Sequence, residues 1–399
     1  MKKNLLAKYL SLRVATTAAN QMLTVAVGYQ VYQLTGSKFL LGVIGLIQFL
    51  PKIIFIFNAG TISDRYDRRR IITVTQTAIL LISLVLGFGS YLQLLHPYIL
   101  LIAVFIYGTA FAIEGPAIVS LLPNLVERTE FPRVNAISSS FNQAASIIGP
   151  ALAGLLYILG ADFVYWSIVV FNVIAIVATF AIKSTDVRHS EAKRQIHTSN
   201  VKATLEGFRY IWQNKGILGA LSLDMFAVLF GGVTALLPVF ATDILHVGST
   251  GFGILRAAPS IGAVLMAVYL AKNPLRRKAG KKMFAAVAIF GIITILFGLS
   301  REFYLSLGLL ILLGAADQIS MIVRSTFVQL KTPDEIRGRV SSVNLIFIGA
   351  SNQLGEFESG TTAAFMGLIP ATIFGGIMTL VVASLWFVKF DELRELDEI

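Results

Sequence analysis

The chain has 399 residues, of which 56% are hydrophobic and 14% charged, and its mean hydropathy is +0.76. Soluble globular proteins carry nearer to about a quarter charged residues, so an ordinary soluble protein is excluded, and the apolar content excludes a disordered one. Cysteine is absent and the four histidines fall in polar connections, which leaves no thiolate or imidazole metal site; the net charge of +11 has to be read from where its charges sit.

A helix that spans a bilayer needs about 20 mostly apolar residues. In chain order, such segments run over 14–36, 39–60, 71–94, 98–122, 133–159, 163–182, 216–242, 249–271, 282–300, 303–328, 339–366 and 370–388. The expected fold is an all-α integral membrane protein with twelve transmembrane helices in two six-helix bundles, residues 1–182 and 216–399, joined by a polar linker over 183–215. Met1 to Arg13 is short and basic without a small-residue cleavage site after the first apolar run, and it reads as a retained terminus.

The basic residues set the orientation. Of the 33 Lys and Arg, only Lys38 and Arg301 fall in the odd-numbered connections and only Lys52, Arg256 and Arg324 inside apolar segments; all others lie on the opposite side. This is a positive-inside pattern with both termini cytoplasmic. The surplus is thereby explained without nucleic acid, although basic loops can also hold anionic lipid headgroups. The two halves echo each other where Arg133, Val134 and Asn135 follow the fourth span and Arg339, Val340 and Ser341 follow the tenth. Parallel halves joined by a cytoplasmic linker are the mark of a transporter that rocks around a central site.

Polar residues inside the spans point to that site. Span one carries Thr17, Asn20, Gln21 and Thr24 as one stripe, and span five carries Asn135, Ser139, Asn142 and Ser146. Lipid cannot satisfy such stripes, so they face either another helix or a water-filled cavity; a polar substrate cavity involving Asn20, Gln21, Thr24 and Asn142, with Met321 of span ten, is the joint reading.

Eight ionisable residues interrupt the spans: Lys52, Glu114, Asp224, Arg256, Asp317, Arg324, Glu356 and Glu358. Each costs on the order of 3 kcal/mol at the bilayer centre without a partner or water. Counting residues to the nearest cytoplasmic charge puts opposite charges in three layers: Arg324 with Asp224, Lys52 with Asp317 or Glu114, and Arg256 with Glu356 or Glu358. Such pairs either only fix packing or modulate a proton site. Carboxylates outnumber cations, so Asp317, Glu356, Glu358 and Glu114 are candidates for reversible protonation, with Arg324, Arg256, Lys52 and Asp224 as their charge partners.

Between spans two and three lie Gly60, Asp64, Arg65, Asp67, Arg68 and Arg69. The charge of Asp64 can cap a neighbouring helix or pair with Arg68 and so latch one arrangement of the halves, with Gly60 and Arg65 in the same loop. The alternative is a solvated loop that only sets topology. In span five, Ala145, Gly149 and Ala153 recur every four residues beside Pro150, a pattern that permits close helix packing and removes one backbone hydrogen bond.

The loop from Gly60 to Arg69 resembles the glycine, aspartate-arginine, arginine-arginine loop of the major facilitator superfamily, with Asp67 where glycine is usual. Within that superfamily the chain resembles the enterobactin-exporter and macrolide-efflux branch, through Gly253, Arg256 and Pro259 in span eight and Gly314, Asp317, Ser320 and Arg324 in span ten. Pro333, Asp334, Arg337, Gly338 and Arg339 follow, then Asn352, Gly355, Glu356, Glu358 and Gly360 in span eleven. The resemblance implies a proton-driven exporter of small, often amphipathic molecules such as a siderophore or drug, in a bacterial cytoplasmic membrane. The pair Gly149 and Pro150 is similar to those that mark antiporters of the superfamily.

No glycine-rich phosphate loop is present, so ATP does not drive the chain directly, and no cofactor is expected. A membrane enzyme is disfavoured by the two-half layout and by the lack of a nucleophile with an adjacent base. A passive facilitator or lipid flippase of the same fold remains the rival. The expected partners are a small-molecule substrate, protons and membrane lipids, with the protein a monomer.

Overall fold

The computed structural model describes residues 3–55, 66–127, 129–182, 200–275, 278–333 and 335–397. The chain divides into two compact units, Met1–Gly36 with Ile47–Asn200, and Ser37–Leu46 with Val201–Ile399. Each unit is helical, and the first contains α1 (Lys3–Thr35), most of α2 (Lys38–Phe55), α3 (Arg68–Tyr91), α4 (Pro97–Leu125), α5 (Phe131–Leu156) and α6 (Ala161–Ala181). The second unit holds α7 (Asn200–Gln213), α8 (Lys215–Gly231), α9 (Gly248–Lys272), α10 (Ala279–Leu299), α11 (Phe303–Lys331), α12 (Arg337–Met366), α13 (Leu368–Lys389) and the short α14 (Asp391–Arg394).

The fold is the twelve-helix membrane architecture expected from composition. Among the described residues nine segments are long and apolar enough to cross a membrane by length and composition alone. The remaining long helices are α1, α5 and α12, and these carry the polar stripes and, in α12, Glu356 and Glu358. Their polarity has to be covered by other helices or by water rather than lipid.

One packing scheme recurs in both units. In the first, α1 lies against α5 and α6 while α3 lies against α4 and α6; in the second, α8 lies against α12 and α13 while α10 lies against α11 and α13. Small residues make the contacts close. A Cβ on Gly314 of α11 would overlap the backbone of Pro259 in α9, and one on Gly262 would overlap that of Ile311, so this crossing tolerates no side chain at either glycine.

Several helices differ from their apolar runs. Helix α1 begins at Lys3, well before residue 14, because Tyr9 and Leu12 continue a helical apolar stripe that packs with Ile72 and Leu121. Lys8 extends this anchoring by donating to the Ala181 carbonyl at the end of α6, at 2.7 Å. The expected linker is partly helical, since α7 occupies its second part; residues 183–199 lie outside the described residues. Span seven is not one helix. Helix α8 stops at Gly231, and the chain continues as a 3-10 turn over Val233–Leu236, a short α segment over Leu237–Val239 and a π turn over Phe240–Ile244. Pro238 cannot donate to the preceding turn, and Ser359 of α12 donates to the Gly232 carbonyl at the break, at 3.2 Å.

The C-terminal segment closes one end of the second unit. Glu392 accepts from the Gly216 backbone N–H at the start of α8 at 3.0 Å, and its other oxygen lies 3.2 Å from Lys331 Nζ at the end of α11. Gly280 at the start of α10 donates to the Leu396 carbonyl, and Leu393 is fully buried between these elements.

Candidate functional site: charges within the membrane helices

The second unit joins charges from α8 and α11, with a neutral partner from α12. Arg324 Nη1 lies 3.0 Å from Asp224 Oδ2, and both side chains are less than a tenth exposed. Ser320, one turn before Arg324, donates to Asp224 Oδ1 at 3.3 Å, and Arg324 also donates to Asn344 Oδ1 at 3.4 Å. Asp317 lies one turn further along α11. With Asp224 and Ser320 it lines a small pocket whose other walls include Val228 and Phe290. Among the described residues Asp317 makes no hydrogen bond or ion pair, so a second carboxylate faces the pocket beside one already neutralised by Arg324.

Nearer the other end of α12, Arg256 of α9 lies 3.7 Å from Glu356, and both are partly exposed. Gly45, in the part of α2 that clusters with this unit, packs against the same acid: a Cβ there would lie 2.6 Å from Glu356 Cβ. Of the two acids in α12, then, Glu356 meets the arginine. Glu358 instead accepts from Thr362 at 2.9 Å and from Ser359 at 3.4 Å on its own helix.

In the first unit Glu114 of α4 is 1% exposed and is surrounded by neutral donors. Thr75 donates to one oxygen at 2.9 Å, and the Gln76 amide reaches both at 2.8 Å. Adjacent polar residues in the otherwise apolar span three were the available signal for these two, which spacing alone did not pair with Glu114. Lys52 of α2 places its ammonium 5.9 Å from the ring centre of Phe111, one turn before Glu114 on α4.

The polar stripes of spans one and five meet each other in part. Thr17 donates to Asn142 Oδ1 at 2.6 Å, which joins the two helices by a side-chain bond. Thr24 donates to the Asn20 carbonyl of its own helix, and Asn20, Gln21 and Thr24 are half-buried, while Met321 of α11 is 38% exposed. Gly149 is the contact between these helices: a Cβ would lie 2.9 Å from Gln21 Cβ, and the adjacent Pro150 sits inside α5.

In the loop before α3, Gly60, Asp64 and Arg65 lie outside the described residues. Arg68 lies within them and donates to the Ser120 carbonyl of α4 at 3.1 Å. Asp67 caps α3, accepting from the Arg69 backbone N–H at 2.9 Å with φ −59°. That conformation is open to any residue, and the carboxylate supplies a helix cap that glycine lacks.

Comparison with known proteins places this arrangement. The profile of the family described as transmembrane secretion effector matches residues 8–399. Macrolide efflux protein A of Streptococcus pyogenes is 22% identical over 384 residues, covering 94% of this chain and 93% of that protein. Enterobactin exporter EntS of Shigella boydii serotype 4 is 24% identical over 378 residues, covering 94% and 88%. Among solved structures, a bacterial homolog to the human lysosomal transporter Spinster superposes with a TM-score of 0.76 at 15% identity, covering 99% of both chains. A bacterial homologue of the iron transporter ferroportin gives 0.73 at 16% identity, covering 99% of this chain and 100% of that one.

Proposed function

Because the chain belongs to the transmembrane secretion effector family of the major facilitator superfamily, and so to multi-pass transporters rather than enzymes, we propose that it is a proton-coupled exporter. Its substrate is a small amphipathic molecule of siderophore or macrolide type. It works by alternating access in the bacterial cytoplasmic membrane with both termini inside, as a monomer of two six-helix bundles, residues 1–182 and 216–399.

The observation that carries proton coupling is the pocket in the second unit. Asp224 is paired with Arg324, whereas Asp317 faces the same space and, among the described residues, has no cation bonded to it. In the proposed cycle, motion of α11 relative to α8 changes what Arg324 pairs with and so whether Asp317 holds a proton. Export, rather than uptake, is favoured by the two relatives whose names describe efflux and export. Asn20, Gln21, Thr24 and Met321 then contribute to the substrate cavity, and the loop from Gly60 to Arg68 to the latch.

The test is transport in proteoliposomes with an imposed pH gradient, using a macrolide and a catecholate siderophore in parallel. The reading expects accumulation of one against its gradient and loss of that accumulation when the pH gradient is collapsed. Equal fluxes with and without the gradient make the protein a passive facilitator, and movement of labelled phospholipid alone makes it a flippase.

A further inference from the structure

Helix α7 has two faces, and among the described residues only one of them packs against the rest of the protein. Gly207 and Ile211 are buried, and Phe208 packs on Phe347 of α12 with ring centres 6.2 Å apart. On the same side Glu206 pairs with Arg339, and Tyr210 donates to the Lys331 carbonyl at 2.9 Å. The opposite side consists of Leu205, Arg209 and Trp212, spaced four and three residues apart and therefore in one line along the helix. Leu205 is 58% exposed and Trp212 74% exposed. A face that leaves a leucine and a tryptophan open on either side of an arginine is costly in water and suited to a headgroup layer.

The position of the helix names the occupant. Only Asn214 separates α7 from Lys215, the first residue of a membrane span, so Trp212 is held within one turn of the point where the chain enters the bilayer. In the orientation proposed above, on which this inference rests, that end of the span lies on the basic side of the protein and faces the anionic leaflet. We infer that α7 is an interfacial helix whose Leu205–Arg209–Trp212 face binds anionic phospholipid, with the two apolar side chains in the upper acyl region and Arg209 at the phosphate. Because the other face is fixed to α12, lipid bound here is linked to the helix that carries Glu356.

The chain has no cysteine, so single cysteines at Leu205→Cys and Trp212→Cys accept a nitroxide uniquely. The full-length labelled protein is placed in phosphatidylcholine vesicles with and without phosphatidylglycerol, and collisions with oxygen and with a water-soluble nickel chelate are measured. In the anionic vesicles both positions should meet oxygen in preference to nickel. Arg209→Gln should lower the ratio of lipid-facing to water-facing label roughly fivefold, the effect of one basic charge at such a surface. A label-free check is quenching of Trp212 by brominated phosphatidylglycerol, taken as the difference between wild type and Trp212→Leu. Nickel contact dominating at both positions, or exclusion of both reagents together with absent quenching, overturns the proposal; the second result assigns the face to protein instead.

Discussion

Arg324 and Asp224 join α11 to α8 through a 3.0 Å ion pair with both side chains under a tenth exposed, and Ser320 completes it from the turn before. Removing one partner strands the other charge, which typically costs about 3–5 kcal/mol in a buried pair, whereas replacing both by apolar residues is often close to neutral. Arg324→Ala and Asp224→Ala are therefore expected to unfold at lower temperature in detergent. The double variant Asp224→Leu/Arg324→Met should recover most of that stability without recovering transport. Recovery of both would make the pair a packing element only, with no part in coupling.

The loop before α3 carries a helix cap at Asp67 and the latch proposed at Asp64. Asp67 satisfies a free N–H of α3, so Asp67→Ala should cost about 1 kcal/mol of stability, as loss of a helix cap generally does. Asp64→Asn should leave thermal stability unchanged and slow turnover, since it removes a charge while keeping the size. Unchanged turnover in a folded Asp64→Asn protein would return this loop to setting topology alone.

Hydropathy made the twelve spans legible, including α1, α5 and α12, because even these are mostly apolar outside their polar stripes. Depth counting put Arg324 level with Asp224 and Arg256 level with the α12 acids, and both pairs are in contact. What it left open was rotation about each helix axis: Glu356 and Glu358 are two residues apart and point to different sides, and only packing decides which meets Arg256. The neutral partners of Glu114 were hidden for the same reason, since Thr75 and Gln76 read as ordinary polar interruptions of span three. The break in span seven and the C-terminal clasp depend on contacts between distant parts of the chain, Ser359 with Gly232 and Glu392 with Gly216, which no local pattern encodes.

The clasp should stabilise the second unit through burial more than through charge. Lys331 and Glu392 are each about half exposed, so their ion pair contributes little once solvent screening is counted. The Glu392 bond to the start of α8 adds roughly 0.3–1 kcal/mol as a negative charge at a helix N-terminus. Leu393, fully buried, outweighs both, since truncating a buried leucine costs about 2–5 kcal/mol. Leu393→Ala is expected to lower the melting temperature clearly and Glu392→Gln only slightly, measured on the same detergent-solubilised protein. The reverse ranking would show that electrostatics hold the tail.

If transport is proton-coupled as proposed, Asp317 and Glu356 are the acids to separate first. Asp317 faces a pocket already containing Asp224, while Glu356 is set between Arg256 and Gly45. In the proposed mechanism, helix motion that changes the charges facing these two acids carries protons with it. Asp317→Asn and Glu356→Gln should therefore abolish accumulation driven by a pH gradient while sparing exchange of substrate down its own gradient, because exchange needs the cavity and not the proton. Arg256→Gln should shift the pH dependence of transport without abolishing it. Glu114 has only neutral donors around it among the described residues, so Glu114→Gln keeps its hydrogen bonds in part and tests coupling in the first unit separately. If Asp317→Asn and Glu356→Gln both accumulate substrate at wild-type rates while Glu114→Gln does not, the proton site lies in the first unit, and the charges of α11 and α12 are structural.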